Sequence, residues 1–284
     1  MSKPRVCIIG AGPCGIFSAA QIQDVAEVTI YERSGVFGGQ WAFGEEQLGK
    51  GERNHSSQYT CLWINGPQEA FELPNHRFPE GTPSYIKRPT VYQYLKDYIA
   101  KYNIGDKFKF NTSVDTVAYN ETDATFAVTI TTEGVQTKKT FDYVVVATGH
   151  FSWPNEPSFK GEETFLGKVM HAHDYQDGRL YKDQRVLCIG GSYSSEDIAL
   201  QCWKFGSKFA HITHRREDNM GFEWPEGVIE RPILTDIKGS TVTFKDGTTE
   251  DYDVIIKCTG YLHYFPFMRF VLLCLTPFMS IFIK

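Results

Sequence analysis

A glycine-rich turn, GAGPCG at residues 10–15, follows a continuous apolar run, Arg5–Gly10 (RVCIIG), and opens a helical pattern over Ile16–Val25. A second strand pattern, Glu27–Glu32 (EVTIYE), comes next. That order is a βαβ unit with a dinucleotide-type turn, in which each glycine has its own task. Gly10 permits the tight turn, Gly12 lets the backbone approach a pyrophosphate, and Gly15 lets helix and strand pack closely. The helix N-terminus offers its amides to phosphate. Glu32, about 22 residues after Gly10 and at the end of the second strand, suits two ribose hydroxyls. A structural turn with no ligand is the alternative, and it requires strand, helix and acid to coincide by chance.

Much of this pattern returns later. RVLCIG at Arg185–Gly190 repeats the opening strand, GGSYSSED follows, Glu196–Phe205 reads as a helix and Phe209–Thr213 as the next strand. Gly190, Ser192 and Ser195 fill the three glycine positions, and two serines weaken the fingerprint taken alone. The next strand, however, ends in HITHRR at His211–Arg216, with Arg215 and Arg216 where an acid stood before. A guanidinium there would pair with a 2′-phosphate and favour NADPH over NADH. A solvated basic turn is the competing reading. Between the two units, residues 35–89 read as irregular, rich in Gly, Pro, Asn and aromatics, and Thr90–Tyr102 as a helix. Lys107–Val117, Thr125–Thr132 and Lys139–Val146 alternate as antiparallel strands, the last running into Ala147–Gly149 (ATG). Val254–Thr259 is a later strand ending in CTGY.

Composition narrows the function classes. With 284 residues, 42% hydrophobic and 22% charged, the chain has the make-up of a soluble globular protein. A net charge of -5 with scattered Lys and Arg leaves no basic face for nucleic acid, so the 14% aromatic content is assigned to core and pocket rather than base stacking. Cysteines 7, 14, 61, 188, 202, 258 and 274 are odd in number and lack CxxC spacing. They suit reduced cytosolic thiols, and the redox pair of a flavin disulfide reductase is missing. Met1 precedes an apolar strand by only a few residues, which leaves no room for a leader; a cytoplasmic location is expected, and the sequons at Asn54, Asn111 and Asn120 then carry no meaning. His171 and His173 (HAH) could suggest a metal pair, but no further ligand is suitably spaced, so no metal is expected. His211 and His214, on or beside a strand, are expected to make structural hydrogen bonds.

Several segments together resemble flavin-containing monooxygenases: GAGPCG, GGQW at Gly38–Trp41, HSSQYTCLWINGP at His55–Pro67, FLGKVMHAHDY at Phe165–Tyr175, GGSYSSED, and CTGYLHYFPF at Cys258–Phe267. FxGxxxHxxxY, filled by Phe165, Gly167, His171 and Tyr175, is that class's signature, and the resemblance, strongest toward the trimethylamine monooxygenase branch, covers residues 5 to about 267. It implies an α/β fold of two Rossmann-like dinucleotide-binding domains with parallel sheets, the NADP domain inserted in the FAD domain, plus a β-meander. The boundaries expected are 1–152 for the FAD domain, 153–258 for the NADP domain and 259–284 for a truncated return to the FAD domain. FAD would be held by Gly10, Gly12, Cys14, Gly15, Glu32, Gln40, Trp41, His55, Asn65, Val114 and Thr148. NADPH would be met by Trp63, Asn65, Tyr193, Ser194, Ser195, Arg215 and Arg216. By the same resemblance, NADPH reduces FAD, O2 adds to give a flavin C4a-hydroperoxide, and a small tertiary amine or sulfide takes the distal oxygen. The protein's task is then to exclude water and hold NADP+ over the flavin.

Asn65 is the catalytic candidate, placed to orient flavin and nicotinamide; a left-handed turn residue before Gly66 is the other reading. The resemblance allows a homodimer. After Phe267 the chain becomes MRFVLLCLTPFMSIFIK, unlike the family, and is expected to be an early or alternative terminus that leaves the enzyme catalytically incomplete. Phe270–Ile283, about 14 apolar residues broken by Pro277, falls short of the roughly 20 that span a bilayer, so membrane contact by the tail is the lesser alternative.

Overall fold

The computed structural model describes residues 2–42, 56–216 and 218–268, with the backbone of a strand at 281–283. The described residues fall into two compact units, one drawn from Met1–Leu48, Cys61–His150 and His263–Lys284, the other from Gly49–Thr60 and Phe151–Leu262. Each contains its own five-stranded sheet.

In the first unit β1 (Arg5–Ile9), α1 (Pro13–Ile22) and β2 (Glu27–Tyr31) form the βαβ unit read from the sequence, with β1 and β2 parallel. α1 begins three residues before the expected Ile16, because Pro13, with φ preset for a helix, sits in its first turn. α2 (Arg88–Tyr102) likewise has a proline, Pro89, in its first turn, and stops where Asn103 turns left-handed at φ 50°. It buries Val91, Tyr94, Leu95 and Tyr98, the i, i+3, i+4, i+7 stripe of one helical face. Each such side chain contributes about 1.5–3 kcal/mol by leaving water.

Two expected strands divide. Lys107–Val117 becomes β3 (Phe108–Lys109) and β4 (Thr112–Asn120), and after β5 (Thr125–Thr132) the run Lys139–Val146 splits between β6 (Val135–Phe141) and β7 (Tyr143–Val146). β3 and β7 join the parallel sheet in the order β7-β1-β2-β3, while β4, β5 and β6 form the antiparallel meander. Each break has an identifiable cause. Asn111 turns the chain at φ 51°, and Asp142 ties the start of β7 to β1, its carboxylate accepting from Arg5 N at 2.7 Å while its own N–H donates to Arg5 O at 2.9 Å. Period-2 alternation reports a strand but not which sheet it joins.

The second unit contains β8 (Lys168–His171), β9 (Arg185–Ile189), α3 (Tyr193–Lys204), β10 (Phe209–Thr213), β11 (Val228–Arg231), β12 (Leu234–Lys238), β13 (Thr241–Phe244), β14 (Thr249–Asp251) and β15 (Val254–Lys257). Its parallel sheet runs β11-β10-β9-β15-β8, and β12, β13 and β14 form a small antiparallel sheet. Leu234, Ile237, Val242, Phe244 and Tyr252 cluster with Leu187, Ile189 and Ile255, so the small sheet covers one face of the large one. Lastly, β16 (Ile281–Ile283) pairs antiparallel with β7 at the edge of the first sheet. The rest of the expected hydrophobic tail beyond Met268 lies outside the described residues, among which no helix is long and apolar enough to cross a membrane.

His211 in β10 is only 4% exposed, and its Nδ1 lies 2.8 Å from the Tyr252 hydroxyl. Burial, then the charge of Arg231, pulls its pKa down to about 4. Because the folded value lies below the ordinary 6.5, the unfolded chain binds the proton more readily between these two pH values. His211 therefore contributes stability that is full above pH 6.5 and is lost as pH falls to about 4. His211→Gln, which can still hydrogen-bond Tyr252, should flatten the fall in urea-unfolding free energy between pH 7 and 4 by on the order of 3 kcal/mol. An unchanged pH dependence would count against a buried neutral imidazole.

Candidate functional site

The first glycine turn joins β1 to α1, and its three glycines are constrained differently. Gly10 has φ 102°, and a methyl group on it would lie 2.6 Å from Ala147 O and 3.3 Å from the Cα of Thr148. On Gly15 a methyl would overlap the Gly10 carbonyl oxygen. On Gly12 it would meet nothing nearer than the Gly39 Cα at 3.8 Å. Gly10 and Gly15 are thus needed by the protein itself, whereas the space above Gly12 is left open by it. Gly12 is also the N-cap of α1 and supplies no side chain to its free amides, which leaves them for an anion. This open cradle at an uncapped helix end fits a pyrophosphate.

Glu32 closes one side of the turn. Its Oε2 accepts from Ala11 N at 2.9 Å and its Oε1 from Ser34 N at 2.8 Å, which fixes the carboxylate beside the glycine backbone. Gly38 N donates to Ala11 O at 2.8 Å, and the left-handed Gly39 packs so closely that a methyl on it would sit 3.0 Å from the Gly12 Cα. The short turn Gly39–Ala42 thereby sets Gln40 and Trp41 next to the glycine loop, Trp41 edge-on to Phe71 at 5.1 Å. Gly38 and Gly39, carried by the GGQW motif, thereby add to the site residues expected from the sequence. Cys14 is exposed in the first turn of α1, and Val114 lies on β4 at a β-bulge, partly buried against the meander core. His55 lies outside the described residues.

Trp63 pairs antiparallel with Lys87, Ile64 N donates to Ile86 O at 3.0 Å, and the chain bends at Asn65 and Gly66. Ile64 is buried while Trp63 and Asn65 are exposed. Lys87 Nζ lies 5.1 Å from the centre of the Trp63 ring. Asn65 is not among the residues of positive φ, so the left-handed turn is not its role.

The second turn follows the same plan. Gly190 stands where Gly10 did: a methyl on it would overlap the carbonyl oxygen of Cys258, as one on Gly10 would press on that of Ala147. Each turn therefore opens where the central strand, β1 or β9, lies between neighbours on opposite sides, the usual ligand crevice of an open parallel sheet. The serines are not simple glycine substitutes. Ser192 and Ser195 form a capping box at the start of α3, Ser192 N donating to Ser195 Oγ at 3.3 Å, and Ser195 is fully buried. Tyr193 and Ser194 are exposed on the first turn of the helix. Arg215 and Arg216 are exposed just after β10, and the Arg216 stem passes the glycine turn, its Cδ 3.3 Å from where a methyl on Gly191 would be.

The flavin-binding monooxygenase-like family matches residues 3–216, which include both turns and the arginine pair. The chain belongs to this family. Trimethylamine monooxygenase of Roseovarius sp. (strain 217) is 39% identical over 94% of the chain and 63% of its own length. Senecionine N-oxygenase of Tyria jacobaeae is 32% identical over 94% of the chain and 60% of its length. The chain thus spans less than two thirds of these relatives. Among solved structures, Tmm from Pelagibacter sp. strain HTCC7211 superposes with a TM-score of 0.85 at 37% identity, covering 93% of the chain and 63% of Tmm.

In this flavin-binding monooxygenase-like chain the FxGxxxHxxxY residues mainly hold structure. A methyl on Gly167 would overlap the Asp253 carbonyl oxygen, and Phe165 packs on the core under β12–β14. Tyr175 is fully buried, stacked on Tyr181 at 5.7 Å and edge-on to Tyr59 at 5.2 Å. His171 Nδ1 accepts from His173 N at 3.0 Å, and His173 Nδ1 lies 3.0 Å from Asp174 Oδ1. His214, as expected, makes a structural bond, its Nε2 lying 2.7 Å from Glu230 Oε2. The Cys188 thiol is pushed well up by its hydrogen bond with Cys258 and by burial, the opposite of what a redox thiol needs.

Proposed function

We propose that this chain carries the FAD and NADPH sites of a monooxygenase that oxygenates nitrogen or sulfur in soft nucleophiles such as tertiary amines. The observation that carries the reading is the doubled turn with opposite chemistry beside it: Glu32 at the first, Arg215 and Arg216 at the second. An acid accepts ribose hydroxyls and repels a 2′-phosphate; paired guanidinium groups attract one. Gly10, Gly12, Gly15, Glu32, Gln40, Trp41 and Thr148 would hold FAD, with Cys14, His55 and Val114 as further contacts. Tyr193, Ser194, Arg215 and Arg216 would hold NADPH, with the fully buried Ser195 acting through the cap of α3. On this assignment the first unit is the FAD domain and the second the NADP domain. When bound, FAD would supply hydride acceptance and O2 activation, so that amine, O2, NADPH and a proton would give amine oxide, NADP+ and water. Relatives that include a trimethylamine monooxygenase and a senecionine N-oxygenase support an amine as substrate.

The test is whether the purified chain binds FAD and whether NADPH reduces the bound flavin in preference to NADH. A protein that takes up no FAD, or whose bound flavin is not reduced by NADPH, would refute the reading. Asn65 is assigned the orienting role, its amide donating to one cofactor and accepting from the other. Asn65→Leu keeps the size and removes the amide. FAD content should survive, while N-oxide formed per NADPH consumed falls and H2O2 rises. A fully coupled variant at the normal rate would leave Asn65 a loop residue.

A further inference from the structure

Glu230, the partner of His214, lies on β11. Its side chain is 7% exposed, and it gathers the chain from both sides of the arginine pair. Oε2 lies 2.7 Å from His214 Nε2 and accepts from Met220 N at 2.9 Å; Oε1 accepts from Trp224 Nε1 at 2.7 Å and more weakly from Met220 N at 3.1 Å. His214 immediately precedes Arg215, while Met220 and Trp224 follow Arg216. The described residues from 214 to 227 form neither helix nor strand, so no regular ladder holds the arginines in place. The same His214 backs onto the second glycine turn, its Cβ 3.0 Å from the position of a methyl on Gly191. Its Nδ1 is buried without a hydrogen-bond partner, so Glu230 is the polar anchor of that ring.

We propose that Glu230 is a positioning residue that sets Arg215 and Arg216 against the second dinucleotide turn and thereby determines selection of a 2′-phosphorylated nicotinamide nucleotide. The inference rests on the NADPH reading of the arginine pair. Burial alone would raise the Glu230 pKa, but the bonds from His214, Trp224 and Met220 outweigh it and hold the group ionised at neutral pH. A carboxylate so placed would repel a phosphate if it met one directly; with its oxygens turned into the loop, it acts through the guanidinium groups instead. Supporting groups of this kind restrict the orientation of those that touch the ligand.

The experiment measures Kd for NADPH and for NADH on the purified 284-residue chain and follows their ratio. Glu230→Ala should lower the preference for NADPH about tenfold, equivalent to about 1.4 kcal/mol. Glu230→Gln keeps the carbonyl for Trp224 and Met220 and can donate to His214 once that ring carries its proton on Nδ1; it should restore the preference to within about threefold of the parent. Trp224→Phe removes one donor while keeping an aromatic ring beside Phe222, and should lower the ratio even if Glu230→Ala fails to fold. In a background already carrying Arg215→Ala and Arg216→Ala, Glu230→Ala should change the ratio no further. Equal weakening of both nucleotides by Glu230→Ala, or a ratio untouched by it while the arginine variant abolishes the preference, overturns the inference alone. An arginine variant that keeps the preference removes the 2′-phosphate reading, and this inference with it.

Discussion

Gly12→Ala should give a protein that folds normally and carries no flavin. The methyl group would have 3.8 Å to its nearest neighbour, and Gly12 has an ordinary φ of -74°, so the fold has no reason to object. A pyrophosphate against the same backbone would be pushed outward and lose its amide contacts, a cost of about 1–3 kcal/mol and so roughly 5- to 150-fold in affinity. Gly15→Ala is the control with the opposite signature, since its methyl overlaps a backbone carbonyl of the same turn. That variant should lose on the order of 3 kcal/mol of stability whether or not FAD is present. The measurements are flavin absorbance per protein after desalting and the urea midpoint of the flavin-free form. Undiminished flavin in Gly12→Ala would remove the first dinucleotide site.

Alanine at both Arg215 and Arg216 should weaken NADPH binding by roughly 10- to 150-fold, the range for losing 1.5–3 kcal/mol of charge-assisted hydrogen bonding. NADH should change little, because it lacks the phosphate. Both side chains are exposed, so the advantage of NADPH in the parent protein should also shrink as ionic strength rises. Titration of the two nucleotides at low and high salt separates this from a general loss of fold, which would lower both affinities alike. Equal loss for both leaves the arginines as a solvated basic turn.

The parts of the site that were legible are those whose chemistry is local. Gly10, Gly12 and Gly15 span a single turn, and their backbone demands follow from a strand entering and a helix leaving. Glu32 could be found by distance along the chain because a βαβ unit has a nearly constant length. Trp63 and Asn65 could be named, but their exposure on either side of a buried Ile64 needed the pairing of this segment with Ile86 and Lys87. Ser192 and Ser195 were legible as small residues; their reciprocal capping of α3 was not drawn from the motif, although both ends of the box stand three residues apart.

Where contacts reach far along the chain, local pattern could not decide. Lys107–Val117 and Lys139–Val146 alternate correctly, yet each is shared between two sheets, because the choice is made by Asn111 φ and by the Asp142–Arg5 pairing across 137 residues. Lys257 ends an apolar strand and is 6% exposed; what satisfies its charge is Glu162 Oε1 at 2.6 Å and Pro157 O at 3.0 Å, 95 and 100 residues away. Glu230 reads as one more acid in a polar stretch until His214 and Trp224 are seen to converge on it. Residue order along the chain was enough for the two βαβ units, the glycine turns and the contrast of acid and arginine, since backbone sterics and helix-end polarity act over a few residues. The sheet each strand joined, the partners of buried charges and the anchoring of the arginine loop were settled only by tertiary packing, which brings distant polar groups together where water can no longer satisfy them.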